Sequence, residues 1–159
     1  MAGTVDFNAI MGTKSKDVVP PRPLPQGTYF VKVGIPKLRE VDSKDSASMG
    51  IIEFPLIVLS ADHDVDTTEL ASYEEKGKIA GSRLKQTFWI KDAEGNIVLH
   101  HLKKWLIDVC KVEDNEDAEL KEMIAGSNGA IIRAHVTWRF DKNDNTKIHN
   151  DVDQTLPEA

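Results

Sequence analysis

The run Arg83-Leu84-Lys85-Gln86-Thr87-Phe88-Trp89-Ile90-Lys91 alternates at every position. Leu84, Gln86, Phe88 and Ile90 fall on one side of an extended chain, and Arg83, Lys85, Thr87, Trp89 and Lys91 fall on the other. A period of two is that of a half-buried β-strand, with one face toward a core and one toward solvent. The outward side carries cations interleaved with a large flat aromatic. Single-stranded nucleic acid is held by that combination, because cations track phosphates while an aromatic stacks a base for about 1–3 kcal/mol. The surrounding segment from Ser82 to Lys104 holds five bases and two acids, a local charge of +3 inside a chain whose total is -6.

Moving outward from this strand, the same alternation recurs at Gly27 to Ile35, with Tyr29, Val31, Val33 and Ile35 opposite Thr28, Phe30, Lys32 and Gly34. It recurs again at Ala130 to Phe140, with Ile132, Ala134, Val136, Trp138 and Phe140 opposite Ile131, Arg133, His135, Thr137 and Arg139. Ile51 to Leu59 is nearly all apolar and reads as a strand buried on most of both faces. Pro55 lacks a ladder donor, which implies an edge or a bulge there. Glu40 to Ser48 reads as a loop and Lys147 to Val152 as a returning strand after the Asp141 to Asn145 turn.

Between the third and fourth strands the period lengthens. Val98, Leu102, Trp105, Leu106 and Val109 share one helical face, Asn96 offers an N-cap, and a second short helix is expected over Glu116 to Ala125. Acid-rich Ala61 to Ala80 reads as a solvated excursion with a short helix near Glu69 to Glu75. Three strands, a helical insertion and two further strands predict a mainly β fold, a five-stranded barrel of the oligonucleotide/oligosaccharide-binding (OB) type with the helix between strands 3 and 4. A generic α+β sandwich is the alternative. Residues 1–26, with four prolines between Pro20 and Pro25, form a mobile arm and lead-in; 27–152 form the domain, and 153–159 a frayed tail.

Composition narrows the function. A single cysteine, Cys110, excludes an internal disulfide framework and paired-cysteine zinc sites, and fits a reducing cytoplasm. No apolar run approaches a membrane span, and the start Met1 to Ile10 is too polar for a signal peptide. A net charge of -6 opposes nucleic-acid binding by bulk charge but not by a localised basic face. No P-loop, GxGxxG, GxSxG or HExxH occurs, so no enzyme, cofactor or metal is expected. Asp62-His63-Asp64 with Asp66, and His149 with Asp151 and Asp153, match no defined ligand spacing. Asp141, Asn143 and Asn145 imitate the start of a calcium loop, but Thr146 and Val152 stand where Gly and Glu are required. His100-His101 and Lys103-Lys104 read as a solvated helix face, Trp105 and Trp138 as core.

The phrase Leu24-Pro25-Gln26-Gly27-Thr28-Tyr29 and the strand after it resemble a family of small bacteriophage single-stranded-DNA-binding proteins with an OB-type fold. The similarity continues through Ile51 to Leu59, Gly81-Ser82-Arg83-Leu84, His101-Leu102-Lys103-Lys104-Trp105-Leu106, and the late strand with Val136 and Arg139. It implies a sequence-independent coat for unwound DNA in phage replication or recombination, in the bacterial host's cytoplasm, with replication or recombination proteins as partners and a homodimer as the assembly. The DNA-binding face it implies is Phe30, Lys32, Arg83, Lys85, Trp89, Lys91, Arg133 and Arg139. The chain departs from many such proteins in lacking a terminal aromatic on an acidic tail. The alternative function is a phage protein-interaction module that meets a host or replisome protein through acidic surfaces and the proline arm. A metal-dependent nuclease ranks last.

Overall fold

A computed structural model describes residues 4–17, 22–42, 48–92, 94–144 and 147–159. Its strands are β1 (Gly27–Val33), β2 (Lys37–Val41), β3 (Met49–Ala61), β4 (Arg83–Lys91), β5 (Ile131–Phe140) and β6 (Ile148–Pro157). Its helices are α1 (Phe7–Met11), α2 (Thr67–Glu74), α3 (His100–Asp108) and α4 (Leu120–Ser127). The architecture is mainly β, as the alternation predicts. All strand pairs are antiparallel, in the order β2-β3-β1-β5-β6, with β4 on the other edge of β3.

β3 organises this sheet. Its first half pairs with β2 and its second half with β1 on one edge, while β4 pairs along the opposite edge from Gly50 to Ile57. Pro55 sits where β1 gives way to β2, so the expected edge or bulge is instead a break in the neighbouring strand. The Gly34 amide donates to the Pro55 carbonyl at 2.9 Å. In an antiparallel ladder the N–H and C=O of one residue point the same way, so the donor that proline lacks would face the interruption. A Cβ on Gly34 would lie 2.8 Å from the Pro55 ring, and only glycine fits that approach.

The sheet wraps a core of Tyr29, Val31 and Val33 from β1, Phe54, Leu56 and Val58 from β3, and Ile132, Ala134 and Val136 from β5. Side α3 closes it with Leu102, Trp105 and Leu106. The Trp105 ring lies 4.8 Å from Phe54 and 5.3 Å from Phe88, and its indole N–H donates to the Thr155 hydroxyl of β6 at 2.9 Å. Each large side chain buried here is worth about 1.5–3 kcal/mol.

Several expectations need correction. The sheet has six strands and is open: β4 and β6 come side by side without a ladder between them, so it is not a closed five-stranded barrel. β2 occupies sequence left unassigned or placed in the loop from Glu40, because Lys37 to Glu40 are exposed on both sides and give no burial pattern. β6 continues through Pro157, so residues 153–157 are strand and not frayed tail. The expected arm boundary at 26 also shifts. Leu24 is buried in the core, its amide donates to the Asn150 side chain at 2.8 Å, and its carbonyl accepts from the Trp138 indole at 2.6 Å. Trp138 is therefore half-buried at the sheet's end, while Trp105 is core as expected. Asn96 does not cap α3, which starts at His100. Its amide is held instead by the Asp92 carboxylate at 2.8 Å in the turn after β4. Residues 18–21 of the proline stretch, 43–47 of the loop, Ala93 and the turn residues 145–146 lie outside the described residues.

Candidate nucleic-acid interface

The alternation that buries Tyr29, Val31, Phe54, Leu56, Leu84 and Ile132 turns the intervening residues outward, and register decides which of them meet. Lys32 of β1, Ile57 of β3 and Arg83 of β4 stand in one cross-strand row, continued by Ile131 of β5. Phe30 stands in the next row, between Ser60 and Arg133. Further along β4, Lys85 pairs with Pro55, and Trp89 pairs with Ile51, which in turn faces Arg39 of β2. Trp89 is 51% exposed and Ile131 and Leu59 are also open to solvent, so apolar and cationic groups share this surface. Phe30 is half-buried, presenting less of its ring than Trp89 does.

The eight expected residues separate by their partners. Lys32, Arg83 and Lys91 have no carboxylate in ion-pair range among the described residues. Lys85 lies 3.6 Å from Glu53, which also holds Arg39 at 3.0 Å. On the far side, Arg139 is bound to Asp151 at 2.8 Å. The Arg133 Nε donates to the Pro157 carbonyl at 2.9 Å, with Asp62 at 3.8 Å from its guanidinium. His135 meets Asp153 at 2.6 Å. Lys91 lies beyond the bulge at Gly50 and Ile51, half-buried beside the bridge to Ile97. Lys37 and Arg39, Glu53, and the apolar Ile57 and Leu59 were not foreseen on the face, whereas Ile131 stands on the outward side of β5 as its alternation predicts. Lys37-Leu38-Arg39-Glu40-Val41 breaks its alternation at Glu40 and offered no cue for the first pair.

The acidic excursion after β3 ties down the start of β1. Asp64 accepts from the Thr28 amide at 2.8 Å and the Thr28 hydroxyl at 2.6 Å. Burial works to raise the Asp64 carboxyl, but the two Thr28 hydrogen bonds outweigh it and hold the group below the usual carboxylate value. Asp62 accepts from the His63 amide and ring, which lower its carboxyl likewise, and Arg133 adds to the effect. These acids hold loops. Among the described residues no group of three or more His, Cys, Asp or Glu side chains is placed to hold a metal. Cys110 is buried, which pushes its thiol up to about 12 and leaves it unsuited to nucleophilic work. Two shallow clefts flank the unladdered junction of β4 and β6. One of about 420 Å³ lies between Lys85–Thr87 and Asn150–Asp153, and one of about 340 Å³ runs along α3 past Trp105.

Among the described residues no helix is long and apolar enough to cross a membrane. No protein-family model matches the chain, and no curated protein matches it.

Proposed function

We propose that the protein binds single-stranded DNA without sequence preference, as a non-enzymatic coat for unwound phage DNA during replication or recombination. The observation that carries this reading is the outward row Lys32–Ile57–Arg83, two cations free of acid partners among the described residues, on the same strand face as the half-exposed Trp89. Phosphates follow Lys32 and Arg83, Lys85 joins them on leaving Glu53, and a base stacks on Trp89. Phe30, Lys91, Arg133 and Arg139 flank that path. Connectivity supports the finer reading of an OB-type barrel left unclosed: β1 and β2 act as one interrupted strand along β3, the helices α3 and α4 enter between β4 and β5, and the two ends of the sheet come together. The host cytoplasm is the compartment this reading proposes.

The test is tryptophan fluorescence titrated with poly-dT and, in parallel, with duplex DNA at low and moderate salt. Saturable quenching by the single strand, weakened by salt and much smaller with duplex, is expected; no binding of poly-dT at low salt overturns the reading. The competing proposal, docking of a protein partner through acidic surfaces, draws on the exposed acids Glu69, Glu74 and Glu75 after β3 and those from Glu113 to Glu119 after α3. Removing residues 1–21 separates the two. That cut keeps Leu24 in the core, so DNA binding on the sheet survives it, whereas capture of a partner through the arm does not.

A further inference from the structure

Among the described outward positions of β2, β3 and β4, Glu53 alone is acidic. Register surrounds it: Lys37 is its direct partner on β2 and Thr87 on β4, while Arg39, Lys85 and Trp89 stand one pair away along the same face. A carboxylate at the centre of a phosphate-binding surface repels the backbone that crosses it. Some other part of the ligand has to meet that point.

The two carboxylate oxygens are used differently. Oε1 takes both cations, the Arg39 guanidinium at 3.0 Å and the Lys85 ammonium at 3.6 Å. Oε2 has no partner among the described residues, and since no buried side-chain oxygen or nitrogen among them lacks one, Oε2 is open to solvent. One oxygen therefore holds the carboxylate in place and the other is a free acceptor on the outward face.

Trp89 decides what reaches that acceptor. Diagonal neighbours on one face of an antiparallel pair lie about 7–8 Å apart, within reach of aromatic side chains. Trp89 and Glu53 are such neighbours, through the pairs Trp89–Ile51 and Thr87–Glu53. A base stacked on the half-exposed indole extends its edge toward Oε2. Each base carries an N–H on the edge it uses for pairing: thymine its N3–H, and adenine, cytosine and guanine their amino groups. In a single strand that N–H is free to donate. In a duplex it points into the base pair, and phosphates are the outermost groups.

We propose that Glu53 selects single strands over duplex: Oε2 accepts from the pairing edge of an unpaired base seated on Trp89 and repels the phosphates that a duplex brings to the same point. The acceptor does not distinguish the bases, because each has a donor there, so selectivity for the strand state comes without sequence preference. Such discrimination uses a repulsive element aimed at the wrong partner. The inference rests on the single-strand-binding reading and names the group that makes it selective.

The test titrates the full chain, by tryptophan fluorescence at low salt, with a dT oligonucleotide, the same oligonucleotide methylated at thymine N3, and a duplex of equal length. The parent is expected to bind the methylated strand about fivefold more weakly than dT or worse, because the methyl group removes the donor. Glu53→Ala should bind the two single strands to within about twofold of each other, and its preference for dT over duplex should fall by about fivefold. Glu53→Gln keeps the length of the side chain without its charge and should show the same fall in preference, which covers the case in which alanine disturbs β3. Glu122→Ala on α4 makes the same change in net charge and should keep both ratios of the parent. If the parent binds dT and Glu53→Ala keeps either ratio, the inference is overturned and the single-strand reading stands. An equal shift in Glu122→Ala assigns the effect to net charge and overturns it too. A parent that does not bind dT at low salt overturns the single-strand reading, and this inference with it.

Discussion

The two halves of the outward surface carry the same residue types to different ends. On β1 and β4, Lys32 and Arg83 flank Ile57 without acid partners among the described residues. On β5, Arg133, His135 and Arg139 look equally basic in the sequence, yet they are engaged by Pro157 and Asp62, by Asp153 and by Asp151. A cation already held by a neighbouring carboxylate must give up that partner before it meets a phosphate. Outward position alone therefore does not make a residue available, and the β1–β3–β4 half is the one left open to an anionic ligand.

The most consequential test of that contrast is Trp89→Ala. It is expected to cost about 1–3 kcal/mol in poly-dT affinity with the fold intact, checked by titration and circular dichroism. Unchanged affinity would move the stacking site elsewhere. Lys32→Ala should lower the salt slope by roughly 0.7, about a fivefold affinity effect across a tenfold change in salt, and Arg83→Ala should match it. Arg139→Ala should shift the slope by clearly less; an equal shift would erase the difference between the halves.

Asp64→Ala probes the loop that fixes the start of β1 and should cost about 1 kcal/mol of stability at neutral pH, read by urea denaturation. The folded carboxyl lies below its unfolded value of about 3.9, so its contribution is present above that value and is lost as pH falls through the folded one. The deficit of the variant should accordingly shrink on acidification. The smallest effect is expected from Asp151→Asn, which releases Arg139 and should strengthen DNA binding by about 0.2–1 kcal/mol in low salt.

Much of the frame was legible because one-sided burial writes a period of two into β1, β4 and β5. β2 was not, since Leu38 is as exposed as Lys37 and Arg39 beside it and leaves no contrast to read. The end of β6 was missed for a related reason: Asp153 and Gln154 look like tail until the pairing of this segment with β5 is known. The partners of the basic residues were the least readable. Asp151 meets Arg139 only because the register between β5 and β6 shifts at His135 and Val136, a property of two strands and not of either one. Trp89 could be placed outward from its own strand, but the lack of acid partners for Lys32 and Arg83 among the described residues depended on the whole sheet.

The pairing of β1 with β5 has a consequence for how the molecule is made. Gly27 is aligned with Val136 and Tyr29 with Ala134, so an early-synthesised strand takes its central neighbour from near the other end of the chain. Contacts this far apart in sequence carry a large loop-closure entropy and slow the folding of β-rich domains. During synthesis Tyr29 and Val31 can meet β3 soon after they emerge, but the edge that will receive β5 stays uncovered until Ile131 to Phe140 follow. The nascent protein thus passes through an interval with an apolar strand edge open to wrong partners, and its exposure ends only when β5 arrives.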